Sequence, residues 1–254
     1  MARRATVIKE ARASGQPTLV LDAGNSLIYA QGEAGSAEPA QRTQGQTSVE
    51  ALNRLGYDAV ALGNKDTLLG KAELQKRLAE AKGFSFLSAN LVDRGTGQLF
   101  AKPYLIKEVG SQRVALIGIT SPAAEGAEFS VTPPLSAARE YVRQVQSQAG
   151  VVILLSNAGA GTNKTIAEQV PGIDVIISGG SEPLRQPVRV GQGALVVQAD
   201  VSVPYDAGRN IGKLRVDFDR AGMLENHSWT PINLDPKVAD DRELTAWVQS
   251  LPSQ

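Results

Sequence analysis

Short apolar runs that end in glycine- or asparagine-rich turns, each followed by a helical stretch, constrain this chain more than any other feature. The run Thr18-Leu19-Val20-Leu21-Asp22 closes in Ala23-Gly24-Asn25, and 59–62 closes in Gly63-Asn64. Residues 151–155 close in Ser156-Asn157-Ala158-Gly159, and 174–177 in Ser178-Gly179-Gly180. Between them, apolar residues at helical spacing predict helices around 48–55, 71–81, 135–148 and 162–169. An N-terminal helix holds Ala5, Ile8 and Arg12 and stops at Ser14-Gly15 with Pro17. Further strands are expected at 84–89, at 104–109 and 113–119 around Gly110-Ser111, and at 194–198, 213–218 and 228–231. A last helix is expected near 239–249. This alternation predicts an α/β domain with a largely parallel core, whose site lies on the loops after the strand C-termini. Residues 32–45 read as the most mobile loop.

Composition narrows the chemistry. Twenty-six Lys and Arg balance twenty-six Asp and Glu. That leaves no basic field for nucleic acid or an anionic membrane. No apolar run approaches the roughly 20 residues of a membrane helix. The absence of cysteine removes disulfides, thiolate nucleophiles and thiolate metal sites. His227 is the one histidine, so the chain by itself offers no multi-histidine metal centre. No signal-peptide pattern opens the chain.

The turns carry a resemblance. Leu21-Asp22-Ala23-Gly24-Asn25, then Gly56-Tyr57-Asp58-Ala59-Val60-Ala61-Leu62-Gly63-Asn64-Lys65-Asp66, then 151–159, then 172–181, resemble the motif series of the calcineurin-like metallophosphoesterases, in their 5′-nucleotidase and UDP-sugar hydrolase branch. The likeness runs on to Pro231-Ile232-Asn233-Leu234. It implies a four-layer α/β/β/α sandwich of mixed sheets with the site on loops at one edge. It also implies two divalent metals that orient a phosphate and generate a hydroxide nucleophile.

Set against the family wording, the ligand positions read differently here. The first motif, D-x-H, has no counterpart, so the family's first strand is expected to be missing, either naturally or because the sequence begins late. The bridging carboxylate of G-D is Asn25, and G-N-H-[DE] becomes Gly63-Asn64-Lys65-Asp66. Asn64 keeps the ligand identity, while Lys65 takes the place of a histidine that assists the leaving group. S-H-x-G becomes Ser156-Asn157-Ala158-Gly159, and G-G-H-[ST]-[HQ] becomes Gly179-Gly180-Ser181-Glu182-Pro183. Asn25, Asn64, Asn157, Ser181 and Pro183 thus occupy metal-ligand positions without the expected side chains, Asn64 apart. Lys65 and Asp66 occupy catalytic ones.

Each position has a plainer reading beside this one. An asparagine ending a strand commonly bonds its own backbone, and strand-to-loop glycines are needed for tight turns. The turns at Asn25, Asn64, Asn157, Gly180, Ser181 and Glu182 equally suit a small anionic ligand held by backbone N–H groups. Asp22, Asp66, Glu182 and Asp200 are the candidates for a rebuilt all-oxygen Ca²⁺ or Mg²⁺ site. His227 is read as a solvated turn histidine. Gly161-Thr162-Asn163-Lys164-Thr165 lacks the P-loop spacing, and Trp229, Trp247 and Tyr205 are too scattered for a stacking platform.

The reading that follows is one metallophosphatase-like domain over 1–254, with a short C-terminal helix at about 238–250 and no second nucleoside-binding domain. Its expected role is that of a binding or interaction module without resident metal. The partner would be a protein or a small anion, and not nucleic acid. The alternative is a metal-dependent phosphoester hydrolase of nucleotidase type with altered ligation, using Mn, Zn, Mg or Ca. A structural subunit of a larger assembly, marked by an apolar surface patch, is a third possibility. Export follows from the family resemblance.

Overall fold

The computed structural model describes residues 1–28, 39–180, 184–199, 208–219 and 223–251. The chain runs α1 (Ala2–Ala13), β1 (Leu21–Asp22), α2 (Pro39–Arg42), α3 (Gln46–Leu55), β2 (Ala59–Ala61), α4 (Lys71–Ala79), β3 (Ser85–Leu87) and β4 (Leu91–Asp93). It continues β5 (Tyr104–Val109), β6 (Gln112–Ile119), β7 (Phe129–Val131), α5 (Pro134–Val145), β8 (Val151–Ser156), α6 (Ala160–Gln169) and β9 (Val175–Ser178). Then come β10 (Val188–Val190), β11 (Ala194–Val197), β12 (Asn210–Phe218), β13 (Leu224–Asn233) and α7 (Arg242–Ser250).

Two sheets carry the site. The smaller is all parallel, in the order β1-β2-β3. The larger runs β10-β11-β9-β8-β6-β5, with parallel strands at its centre and an antiparallel strand at each edge.

Alternation along the strands decides the layering, because successive side chains face opposite sides. Ala59, Ala61 and Leu87 meet Val114, Leu116, Val151 and Leu155 in a core between the two sheets. On the outer side of the small sheet, Val60, Leu62 and Phe86 pack with Ala5 and Ile8 of α1, Val49, Leu52 and Leu55 of α3, Leu74 of α4 and Leu244 of α7. On the outer side of the large sheet, Ala115, Ile117, Ile119, Val152 and Leu154 pack against Ala138 and Val142 of α5 and Ile166 of α6. The result is the expected α/β/β/α sandwich. Each fully buried Leu or Ile in these layers contributes about 2–3 kcal/mol. The β12–β13 hairpin lays Leu214, Val216 and Trp229 over Val175, Leu195 and Val197.

Several local expectations need correction. The strand expected from 18 contracts to Leu21–Asp22, because ladder pairing with β2 begins only at Leu21. Strands β4, β7 and β10 were not expected; three residues each are too short to show a period. Strand β13 starts four residues earlier than expected, at Leu224, so His227 sits mid-strand opposite Val216 and exposed, not in a turn. Of the loop expected at 32–45, Pro39–Arg42 is helical and 29–38 lie outside the described residues.

Candidate functional site

Strands β1, β2, β8 and β9 all end at one edge of the sandwich, where their turns meet. The Asn25 backbone is left-handed, at φ 62°. That conformation is tolerated by asparagine and brings its side chain back over the neighbouring turn. A Cβ on Gly63 would collide with the Asn25 side chain, so a glycine at 63 is what lets the two turns touch.

The asparagine amides then link the turns in series. Asn25 Oδ1 accepts the Lys65 N–H at 2.8 Å, and Asn25 Nδ2 donates to Asn64 Oδ1 at 3.4 Å. The Asn64 N–H donates to Asn157 Oδ1 at 3.2 Å, joining the small sheet to the large one. Beside Asn157, a Cβ on Gly179 would stand 2.8 Å from the Ala23 carbonyl oxygen and 3.2 Å from Asn157 Nδ2. Gly180 is exposed at φ 115° and its carbonyl accepts from the buried Gln198 side chain at 3.2 Å. The expected site residues Asn25, Asn64, Asn157 and Gly180 therefore lie on adjoining turns. Ser181, Glu182, Pro183 and Asp200 lie outside the described residues.

Asp66 is wholly buried. Its carboxylate accepts three backbone N–H groups, from Gly63 at 2.8 Å and from Asn25 and Leu27 at 3.0 Å. Burial pushes its carboxyl up to about 6, against the downward pull of those three donors. Asp66 thus holds the turns in place. Asp22 spends Oδ1 on the Gly24 N–H and the Ser26 hydroxyl, so it too organises a turn. Lys65 is half-buried beside the asparagines.

Two buried polar networks behind the turns were not foreseen. Asn163 of α6 accepts from the Ser156 hydroxyl at 2.5 Å and donates to Ser178 Oγ at 2.9 Å, pinning the ends of β8 and β9 together. Thr120 donates to the Leu62 carbonyl at 2.8 Å and pairs with Ser88, while Asn90 brackets the Thr120 backbone. The available signal was Asn163 standing in register with the buried Ile166 and Ala167 on one helix face. A cleft of about 240 Å³ opens beside Asn64, lined by Thr67, Leu68, Ala123, Glu125 and Phe129 among others.

The described donors do not fit a two-metal centre. That centre needs carboxylates and imidazoles, whereas the three amide oxygens at the turns already accept hydrogen bonds and both Asp66 oxygens face backbone donors. Among the described residues, no three His, Asp or Glu side chains lie close enough to share a metal.

Comparison with known proteins decides the family. A snake venom 5′-nucleotidase of Gloydius brevicauda is 32% identical over 280 residues, covering all of this chain and 46% of the relative. The chain belongs to the 5′-nucleotidase branch of the calcineurin-like phosphoesterases. A solved 5′-nucleotidase precursor from Thermus thermophilus is 27% identical, with a TM-score of 0.81 over 98% of this chain and 52% of that one. The calcineurin-like phosphoesterase YfkN of Bacillus subtilis has the same fold, with 21% identity and a TM-score of 0.79 over 98% of this chain and 87% of that one. No family model matches the chain. The chain spans about half the length of the curated relatives it matches. No described helix is long and apolar enough to cross a membrane.

Proposed function

We propose that this 5′-nucleotidase-like domain binds a phosphate-bearing or similarly anionic ligand at its asparagine turns and does not hydrolyse it. One observation carries the reading. The amide oxygens of Asn25, Asn64 and Asn157 are spent on linking the turns, where metal-dependent chemistry needs charged oxygens and imidazoles turned toward a shared ion. The amide N–H groups that remain suit an anion better than a cation.

A second reading has support of its own. Named relatives along the whole chain are 5′-nucleotidases, and that likeness supports metal-dependent phosphoester hydrolysis better than a non-hydrolytic role. Under it, further ligands join Asn64, with Glu182 and Asp200 as the candidate carboxylates. Secretion is proposed by analogy with the venom relative, and recognition of a nucleoside would rest with the whole protein.

The test is turnover of nucleoside 5′-monophosphates and a generic phosphodiester with Mn²⁺, Zn²⁺ or Ca²⁺, each beside a chelator control. Absent turnover under every metal is the expected result. Chelator-sensitive turnover establishes the second reading and ends the first.

A further inference from the structure

Helix α1 is a weak helix by its own chemistry. No side chain caps its start, and Arg3 and Arg4 set positive charge at the positive end of the helix dipole. Thr6, Val7 and Ile8 add three β-branched residues in a row. Its apolar hold is small, because Ala5 and Ile8 are its buried residues. Helix α7 is held little better. It buries Leu244, while Trp247 is half-buried with the Arg54 guanidinium of α3 at 5.2 Å from its ring centroid.

Polar contacts supply the rest, and they join residues 231 to 234 positions apart in the chain. Arg3 Nη1 donates to the Leu234 carbonyl at 3.0 Å, and the Thr6 hydroxyl donates to the Ala239 carbonyl at 2.7 Å. Lys9 Nζ meets Asp241 Oδ2 at 2.7 Å and Glu243 Oε2 at 3.2 Å. Asp241 serves both helices at once. Its Oδ1 accepts the Leu244 N–H at 3.0 Å and caps α7, while its Oδ2 holds α1. Arg4 extends the contact to the Tyr57 hydroxyl at 3.1 Å and the Gly208 carbonyl at 2.8 Å, and Arg12 reaches Asp58 at 3.4 Å.

We propose that α1 and residues 234–250 form a salt-sensitive strap that opens as one unit while the two-sheet sandwich stays folded. Each helix is a main support of the other, so the departure of one removes the contacts that hold its partner. The side chains of Lys9 and Glu243 are 52% and 67% exposed, and salt screens pairs of that kind. The sandwich core depends instead on buried apolar layers, which salt does not screen. Opening also releases the turn at Tyr57 and Asp58 that leads into β2, the strand that ends at Gly63-Asn64. The strap is thus a conformational device independent of what the asparagine turns bind.

Amide hydrogen exchange on the full chain tests it, at low salt and at about 0.5 M NaCl. The α1 and α7 amides should exchange together, at least about tenfold faster than Val60 and Leu154 in the buried strands, and about threefold faster again in high salt. Lys9→Met should speed exchange in both helices about fivefold and leave α5 unchanged, and Lys9→Arg should restore protection. Asp241→Asn keeps an acceptor for the Leu244 N–H but loses the charge that holds Lys9, so α1 should loosen as in Lys9→Met. Lys164→Met removes an exposed pair with Glu168 on α6 and should leave both terminal helices unchanged.

Three outcomes overturn the strap. Exchange of α1 and α7 at the rate of Val60 and Leu154 would mean that they open only with the whole domain. Loosening of α1 with α7 still protected in Lys9→Met would mean that the helices open separately. Exchange indifferent to salt and to Lys9→Met would mean that the ion pairs do not hold them.

Discussion

Asp66 Oδ2 accepts the backbone N–H of Asn25 at 3.0 Å, tying together two turns that lie 41 residues apart in the chain. The same carboxylate holds Gly63 and Leu27. One buried acid therefore sets the relative position of Asn25 and Asn64. Asp66→Ala would strand three N–H donors in the interior, and a loss of about 3–5 kcal/mol is expected. Urea unfolding measures it, and a loss under about 1 kcal/mol would contradict the role.

The same residue predicts a pH dependence. Its folded carboxyl is raised from 3.8 to about 6, chiefly by burial, so the folded state holds its proton more tightly than the unfolded chain does. That stabilisation is complete below about pH 4 and is lost as pH rises through about 6, a change of about 3 kcal/mol. Asp174, raised by its own burial, acts in the same direction. Asp93 and Asp241, held down by Lys71 and Lys9, act oppositely. The difference between the wild-type and Asp66→Asn stability curves isolates Asp66. It should slope downward between pH 4 and 6, and a flat difference would refute the assignment.

Asn163 links Ser156 to Ser178 with no exposed surface of its own. Asn163→Ala should cost about 2–4 kcal/mol, since it leaves both hydroxyls and a cavity behind. Its effect should also reach the turns after β8 and β9. Amide exchange at Asn157 and Gly179 should accelerate more than exchange at Val60 in the other sheet, and uniform acceleration would speak against a local role.

Divalent metal gives a further check on the site. With the three turn amides already satisfied, Mn²⁺ or Zn²⁺ is expected to leave the melting temperature where EDTA leaves it. A saturable upward shift would mean that ligands beyond the described donors complete a metal site.

Much of the sandwich was legible from local pattern. Unbroken apolar runs at Val114–Ile119 and Val151–Leu155 mark strands buried on both faces, and the spacing of Val49, Leu52 and Leu55 marks a helix with one buried face. The three-residue strands β4, β7 and β10 carry no period, and tertiary pairing alone defines them. His227 shows the same limit, since its strand is extended by pairing with β12 rather than by its own residues.

At the site, the sequence by itself determined which residue types end the strands: asparagines at 25, 64 and 157, and glycines at 24, 63, 179 and 180. These are chemical identities, and they follow from reading the chain. Only the tertiary structure decided what each one does. Whether an asparagine faces a ligand or a neighbouring turn depends on which strand ends adjoin, and the packing of one sheet on the other brings together residues 93 positions apart, as with Asn64 and Asn157. Asp66 makes the point most sharply. A carboxylate beside a motif reads as chemistry in one dimension, but burial and three converging N–H groups make it the pin that holds the turns. Hydrogen-bond partners of that kind are set by long-range packing, which no local pattern encodes.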